Sequence, residues 1–221
     1  MIKAAIFDLD NTIIDSVETI WRCADHVLRN KGFSGIDRKT AEKAMGLTIF
    51  DMFAIAEPHL SQEQMGELFQ EYKKCYMDFV KYSKVLPHAQ DVLEYARWKG
   101  LQLALVTMKS RENAIKVLRS FGLSEFFSAF IGFEDTKEHK PSPEPILKAA
   151  AAVGVDAKET VVIGDTDMDI RAGKSAGAAT VAVMTGVTPI EKIQEAKPDY
   201  TIKDLVELKK ILSSLSAMAS K

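Results

Sequence analysis

The chain is 221 residues long, 47% hydrophobic and 27% charged, which suits a folded protein with one sizeable core plus an insertion and excludes disorder and collagen-like repeats. Its 29 Lys and Arg nearly balance 31 Asp and Glu, for a net charge of -2, and this gives no basis for a nucleic-acid partner. Cys23 and Cys75 stand outside any CxxC or Cys/His cluster, so neither a disulfide framework nor a structural zinc site is expected, and both read as small buried thiols.

In chain order, Met1 leads directly into a strand-like run at 4–7, too short for the apolar segment of a signal peptide. From 16 to 84 the strand pattern is missing, and apolar residues at helical spacing mark segments at 17–30, 38–44, 49–56 and 62–82. Helical patterns at 89–99, 111–121, 143–153 and 169–176 then alternate with apolar runs at 101–106, 127–131, 160–163 and 179–183, and Gly100, Gly122, Gly154 and Gly177 close the helices. Strands that are apolar throughout are buried on both faces, so the βα rhythm implies a parallel sheet between two helical layers. The expected fold is therefore α/β: a three-layer, doubly wound parallel sheet with a Rossmann-like core, made from 1–15 and 85–221, with an inserted α-helical cap at 16–84. No apolar run approaches the ~20 residues of a membrane span, so no membrane partner is expected and the location is read as cytoplasmic.

Ligands of open parallel sheets bind beyond the carboxyl ends of the strands, which directs attention to the residues after each apolar run. These are Asp8-Leu9-Asp10-Asn11-Thr12, Thr107-Met108-Lys109-Ser110 and Gly164-Asp165-Thr166-Asp167-Met168-Asp169, joined by His139-Lys140-Pro141 in the loop after the run at 127–131. Carboxylates gathered in one crevice repel unless a cation neutralises them, and an all-oxygen set without Cys or His suits a hard ion, Mg²⁺ before Ca²⁺. Thr107 and Lys140 supply a donor and a positive charge for an anion such as phosphate. Together these groups are the equipment for forming an aspartyl-phosphate. Taken singly, Asp167 and His139 read as structural, and Lys109 and Arg111 as solvated charges at the start of a helix.

The four segments, in this order and at strand ends, resemble the four motifs of the haloacid-dehalogenase-like hydrolase superfamily. Asp15-Ser16, Lys140-Pro141-Ser142-Pro143-Glu144-Pro145 and Ile170-Arg171-Ala172-Gly173-Lys174-Ser175-Ala176-Gly177 resemble its phosphoglycolate-phosphatase-like branch. The resemblance implies a phosphatase acting on a small phosphorylated metabolite, as a monomer or homodimer. It casts Asp8 as nucleophile and metal ligand, and Asp10 as the acid and base whose backbone carbonyl also meets the metal. Asp165 and Asp169 become further metal ligands. Thr107, Met108 and Lys140 become phosphate-binding residues, with Leu9 and Met108 contributing backbone amides, and Gly46 in the Met45-Gly46-Leu47 turn resembles a substrate-facing cap loop.

Three positions depart from the family pattern. Asn11 and His88 stand where glycine is common, and Met108 stands where many relatives carry Asn or Ser. Two alternatives accompany the phosphatase reading. A phosphosugar mutase of the β-phosphoglucomutase type shares the core motifs, but that branch has a cap histidine where this chain has Ile20, and the nearest histidine, His26, lies farther along. A catalytically silent phosphate-binding module on the same fold is the other, and the full set Asp8, Asp10, Thr107, Lys140, Asp165 and Asp169 argues against it.

Overall fold

A computed structural model describes residues 1–217, which divide into two compact units: Met1–Ile14 with the chain from Val85 onward, and Asp15–Lys84. The division differs by one residue from the expected boundary, because Asp15 falls in the second unit. Between the first strand, β1 (Ala4–Phe7), and the rest of its unit, the chain passes through β2 (Ile14–Asp15), the helices α1 (Val17–Asn30), α2 (Arg38–Lys43), α3 (Ile49–Ala56) and α4 (Gln62–Phe79), and β3 (Lys84–Val85). β2 and β3 pair with each other. At two residues apiece they are too short to register as a periodic pattern.

The helical unit is specified locally as well as by packing. Thr48 and Asp51 form a reciprocal cap at the start of α3, and Ser61 and Gln64 do the same for α4, each satisfying two otherwise orphaned backbone donors. α1 buries Ile20, Cys23, Ala24, Val27 and Leu28 on one face, and it packs on α4. α4 ends at Phe79 and gives way to a 3₁₀ turn over Val80–Tyr82, where the sequence pattern reads as one continuous helix.

After β3 come α5 (Ala89–Trp98), β4 (Gln102–Val106), α6 (Arg111–Ser120), β5 (Ala129–Ile131), α7 (Glu144–Ala152), β6 (Thr160–Gly164), α8 (Asp167–Ser175), β7 (Ala179–Val183), α9 (Ile190–Ala196), β8 (Tyr200–Ile202) and α10 (Leu208–Ala217). Six strands form one sheet in the order β5-β4-β1-β6-β7-β8, every pair parallel. On one face Ile6, Ala104, Val106 and Val162 pack against Ile146, Ala149 and Ala150 of α7 and Ala172 of α8. Successive residues of a strand point to opposite faces. Phe7, Leu103, Leu105 and Ile163 therefore lie on the other face, and since all are buried it too is covered, with α5 packed on β4. The three-layer arrangement is the expected one. Among the described residues no helix is long and apolar enough to cross a membrane.

The sequence pattern missed β8, α9 and α10. β8 is a three-residue edge strand with only Ile202 buried, so it carries little of the continuous apolar signal that marks the central strands. His88 shows why glycine is common at this position. It caps α5 with φ 63, a left-handed backbone that glycine adopts without cost, and its Nδ1 lies 3.3 Å from Asp91 Oδ2. Asn11 has φ 59, which its short polar side chain tolerates.

Candidate active site

Strand order progresses away from β1 in one direction through β4 and β5, then resumes on its other side with β6, β7 and β8. Such a reversal opens a crevice at the carboxyl ends of the central strands. Register makes these ends level, since Phe7 pairs with Leu105 on one side and with Ile163 on the other. Asp8 follows Phe7 directly, and its backbone N–H donates to Ile163 O at 2.9 Å, which fixes where the carboxylate emerges.

Asp8, Asp165 and Asp169 offer carboxylate oxygens that all lie within 4.8 Å of one another, and all three residues are buried. Lys140 enters from the loop after β5, and its Nζ donates to Asp8 Oδ1 at 2.7 Å and Asp169 Oδ1 at 2.6 Å, with a longer contact to Val106 O at 3.4 Å. Burial raises the Asp8 pKa to about 7, with Lys140 pulling it down and Asp169 and Asp10 pushing it up. Burial also drives Asp165 well above the usual carboxylate range, and the charges of Asp8 and Asp169 add to the effect. Burial opposes the charge on Lys140, but Asp169 and Asp8 outweigh it and hold the ammonium firmly protonated.

Each acid is held by its own support. Thr12 Oγ1 donates to Asp165 Oδ1 at 3.2 Å. Asp169 sits in the first turn of α8, where its Oδ2 accepts from Thr166 Oγ1 at 2.6 Å and from the Thr166 backbone N–H at 3.1 Å, while its own N–H donates back to Thr166 Oγ1. The same residue thus completes a helix cap and faces Lys140. Two glycines make the room: a Cβ on Gly164 would lie 2.3 Å from Asp169 Cγ, and one on Gly186 would lie 1.9 Å from Asp165 Oδ2. Gly186 was not found from sequence, because its role is a close approach that no local pattern encodes.

Asp10 is less buried than these three acids, and its charge reaches Asp8. Its Oδ2 lies 3.2 Å from Lys109 Nζ, whose side chain is only 6% exposed. Lys109 is therefore not the solvated helix-start charge expected from sequence: the turn after β4 folds its stem inward beside Asp10. Arg111 pairs with Asp135 at 2.8 Å at the surface. Thr107 is buried at the end of β4, its Oγ1 accepting from the Lys109 backbone N–H at 3.1 Å, and Met108 is half-buried beside it. His139 stacks on Phe133 with ring centroids 4.1 Å apart, and Asp167 pairs with Arg171 at 3.2 Å, both in the structural roles expected of them. Gly46 belongs to the helical unit, in the turn after α2, with φ 86.

Residues 5–183 match the family described as haloacid dehalogenase-like hydrolase. The chain belongs to this family. It is 33% identical over 218 residues to a putative pyrophosphatase PpaX of Caldanaerobacter subterraneus, covering 96% of this chain and 94% of that protein. It is 32% identical to a phosphoglycolate phosphatase of Aquifex aeolicus, covering 93% of this chain and 96% of that one. Among solved structures it is similar to a putative haloacid dehalogenase-like hydrolase from Bacteroides fragilis, at TM-score 0.86 and 27% identity over 94% of this chain and all of the other. A β-phosphoglucomutase from Clostridium difficile has the same fold, at TM-score 0.84 and 23% identity over 99% and 98% of the two chains. Within this hydrolase family the buried acids are a group that could hold a metal ion.

Proposed function

We propose that this hydrolase is a Mg²⁺-dependent phosphatase that cleaves small phosphomonoesters through an aspartyl-phosphate on Asp8. The observation that carries the reading is the buried group Asp8, Asp165 and Asp169 around the single ammonium of Lys140. Three carboxylates against one ammonium leave two formal negative charges unmatched, and the all-oxygen donor set fits a hard divalent cation. Asp8, Asp165 and Asp169 would hold it, with the Asp10 backbone carbonyl. When bound, such a cation polarises a phosphoryl oxygen and offsets the charge that gathers during transfer.

The chain's own residues divide the remaining work. A carboxylate oxygen of Asp8 attacks phosphorus and the bond to the leaving oxygen breaks. Asp10 donates a proton to that oxygen, then accepts one from the water that attacks the aspartyl-phosphate. Lys109 orients the Asp10 carboxylate. Lys140 holds Asp8 and Asp169 in place, and with Thr107 and the Leu9 and Met108 backbone amides it meets the phosphoryl oxygens. The helical unit selects the leaving group, with Gly46 as its substrate-binding residue.

The name of the pyrophosphatase relative suggests a second reading, in which the leaving group is phosphate and the substrate pyrophosphate. Hydrolysis of phosphoglycolate, a broad panel of phosphomonoesters and pyrophosphate, compared as kcat/KM with Mg²⁺ present, separates the two. The expected result is Mg²⁺-dependent phosphate release that chelator abolishes and Asp8→Asn removes. Activity that survives exhaustive chelation, or an Asp8→Asn variant as active as the parent, would overturn the mechanism. Conversion of a sugar phosphate into its isomer without phosphate release would point to the mutase, against which Ile20 already argues.

A further inference from the structure

Cys23 and Cys75 lie 52 positions apart in sequence, yet their Sγ atoms are 3.2 Å from each other. Cys23 is on the buried face of α1 and fully enclosed, whereas Cys75 on α4 is partly exposed, which corrects the expectation that both thiols are buried. Both Sγ atoms also approach the Tyr72 carbonyl, at 3.9 and 3.8 Å, so the two side chains converge on one point of the α1–α4 seam. Neither thiol belongs to the acid site, and neither takes part in the phosphoryl chemistry proposed for it.

We propose that Cys23 and Cys75 form a reversible redox-modification site, a thiol pair that a hydroperoxide converts to a disulfide stapling α1 to α4. The sulfurs are already in contact, and bonding would shorten their 3.2 Å separation to the 2.05 Å of a disulfide. Access and reactivity are divided between them. The hydrogen bond from Cys23 lowers the Cys75 pKa, against partial burial and the nearby Asp78 and Glu71 carboxylates, which raise it. Cys75 is thus the more reachable sulfur, and its thiolate is favoured relative to an ordinary thiol.

The chemistry balances with peroxide as oxidant. The Cys75 thiolate attacks one peroxide oxygen, an S–O bond forms, the O–O bond breaks and hydroxide departs, leaving a sulfenic acid. The Cys23 sulfur then attacks the sulfenic sulfur. The S–S bond forms as the S–O bond breaks, and the thiol proton leaves with the hydroxyl as water. Overall the two thiols lose two hydrogens and the peroxide becomes two waters.

The test treats the full-length native protein with hydrogen peroxide and reads intact mass, a non-reducing peptide map and melting temperature. The expected product has lost two hydrogens, links the Cys23 and Cys75 peptides within one chain, and returns to the starting mass with dithiothreitol. Because the link closes a loop of some fifty residues around the helical unit, it should raise the melting temperature by about 5 °C or more, reversibly. In Cys23→Ser the sulfenic acid on Cys75 should persist and be captured by dimedone, and in Cys75→Ser the enclosed Cys23 should stay unmodified. Oxidation of the parent that stops at Cys75 without a link, a link only between chains, or complete linkage with no rise in melting temperature would each overturn the proposal.

Discussion

Replacing Asp8 by asparagine should stabilise the metal-free protein at alkaline pH, although the same change removes the proposed nucleophile. The carboxyl titrates near 3.8 in the unfolded chain and at about 7 in the folded one. A carboxyl whose folded pKa is raised costs nothing at a pH well below 3.8. Its cost grows as pH climbs from there to about 7, and is constant above. Linkage puts the cost at about 2 kcal/mol at pH 5 and about 4 kcal/mol at pH 8. Asparagine does not titrate and keeps an oxygen to accept from Lys140, whose charge stays matched by Asp169 at 2.6 Å. The melting temperature of Asp8→Asn relative to the parent, by calorimetry in chelator, should therefore rise between pH 5 and pH 8 by about 5–10 °C. Saturating Mg²⁺ should narrow or reverse the gap, because a cation that binds only the folded parent adds about 2.7 kcal/mol at a hundredfold excess over Kd. A difference that is flat across this pH range, or a variant less stable than the parent at pH 8 in chelator, would refute the electrostatic account of the site.

The opposite change should have the opposite sign: Lys140→Met strips the acids of their counter-charge and should lower metal-free stability by about 3–5 kcal/mol, measured by denaturant titration. In Mg²⁺ the same variant should lose kcat by more than it gains in KM, if Lys140 acts on the transferring group rather than on ground-state binding. Gly186→Ala should displace the Asp165 carboxylate, which the new methyl would meet at 1.9 Å; a Mg²⁺ titration of activity should show affinity weakened by about 10–100-fold, as for disturbed metal supports, and an unchanged titration would argue against Asp165 as a ligand. Lys109→Met should reduce kcat for an alkyl phosphate by about 10–100-fold through misplacement of Asp10, but affect p-nitrophenyl phosphate far less, since that leaving group scarcely needs an acid; equal losses on both would mean that Lys109 does not act through Asp10.

Where the physics is local, the sequence was informative. The central strands Ala4–Phe7, Gln102–Val106 and Thr160–Gly164 are apolar because they are covered on both faces, and that cause leaves an unbroken apolar run to read. The acids that follow β1 and β6 were legible because ligands of an open parallel sheet bind beyond the carboxyl ends of its strands. What could not be read depends on approach across the fold. Lys109 has the look of a helix-start charge, and only the path of the turn after β4 reveals that it is folded in beside Asp10. Gly186 is one glycine among 12 until Asp165 is placed against it. Cys23 and Cys75 have no motif spacing, because their proximity comes from two helices packing side by side and not from the chain between them.

The same reasoning explains why the acids can be so close at all. Repulsion among Asp8, Asp165 and Asp169 would push flexible side chains apart, yet each is tethered by a hydrogen bond: Asp8 through its backbone to β6, Asp165 through Thr12 in the turn after β1, and Asp169 through the cap of α8. The parallel register brings Phe7, Leu105 and Ile163 level, so residues more than 150 positions apart emerge side by side. Gly164 is the next residue of β6 after Ile163, and its missing side chain is the space that the Asp169 carboxylate occupies. The excess negative charge is thus not an accident of surface composition. The acids are held close by rigid elements, and under the proposed reading a divalent cation would meet them there.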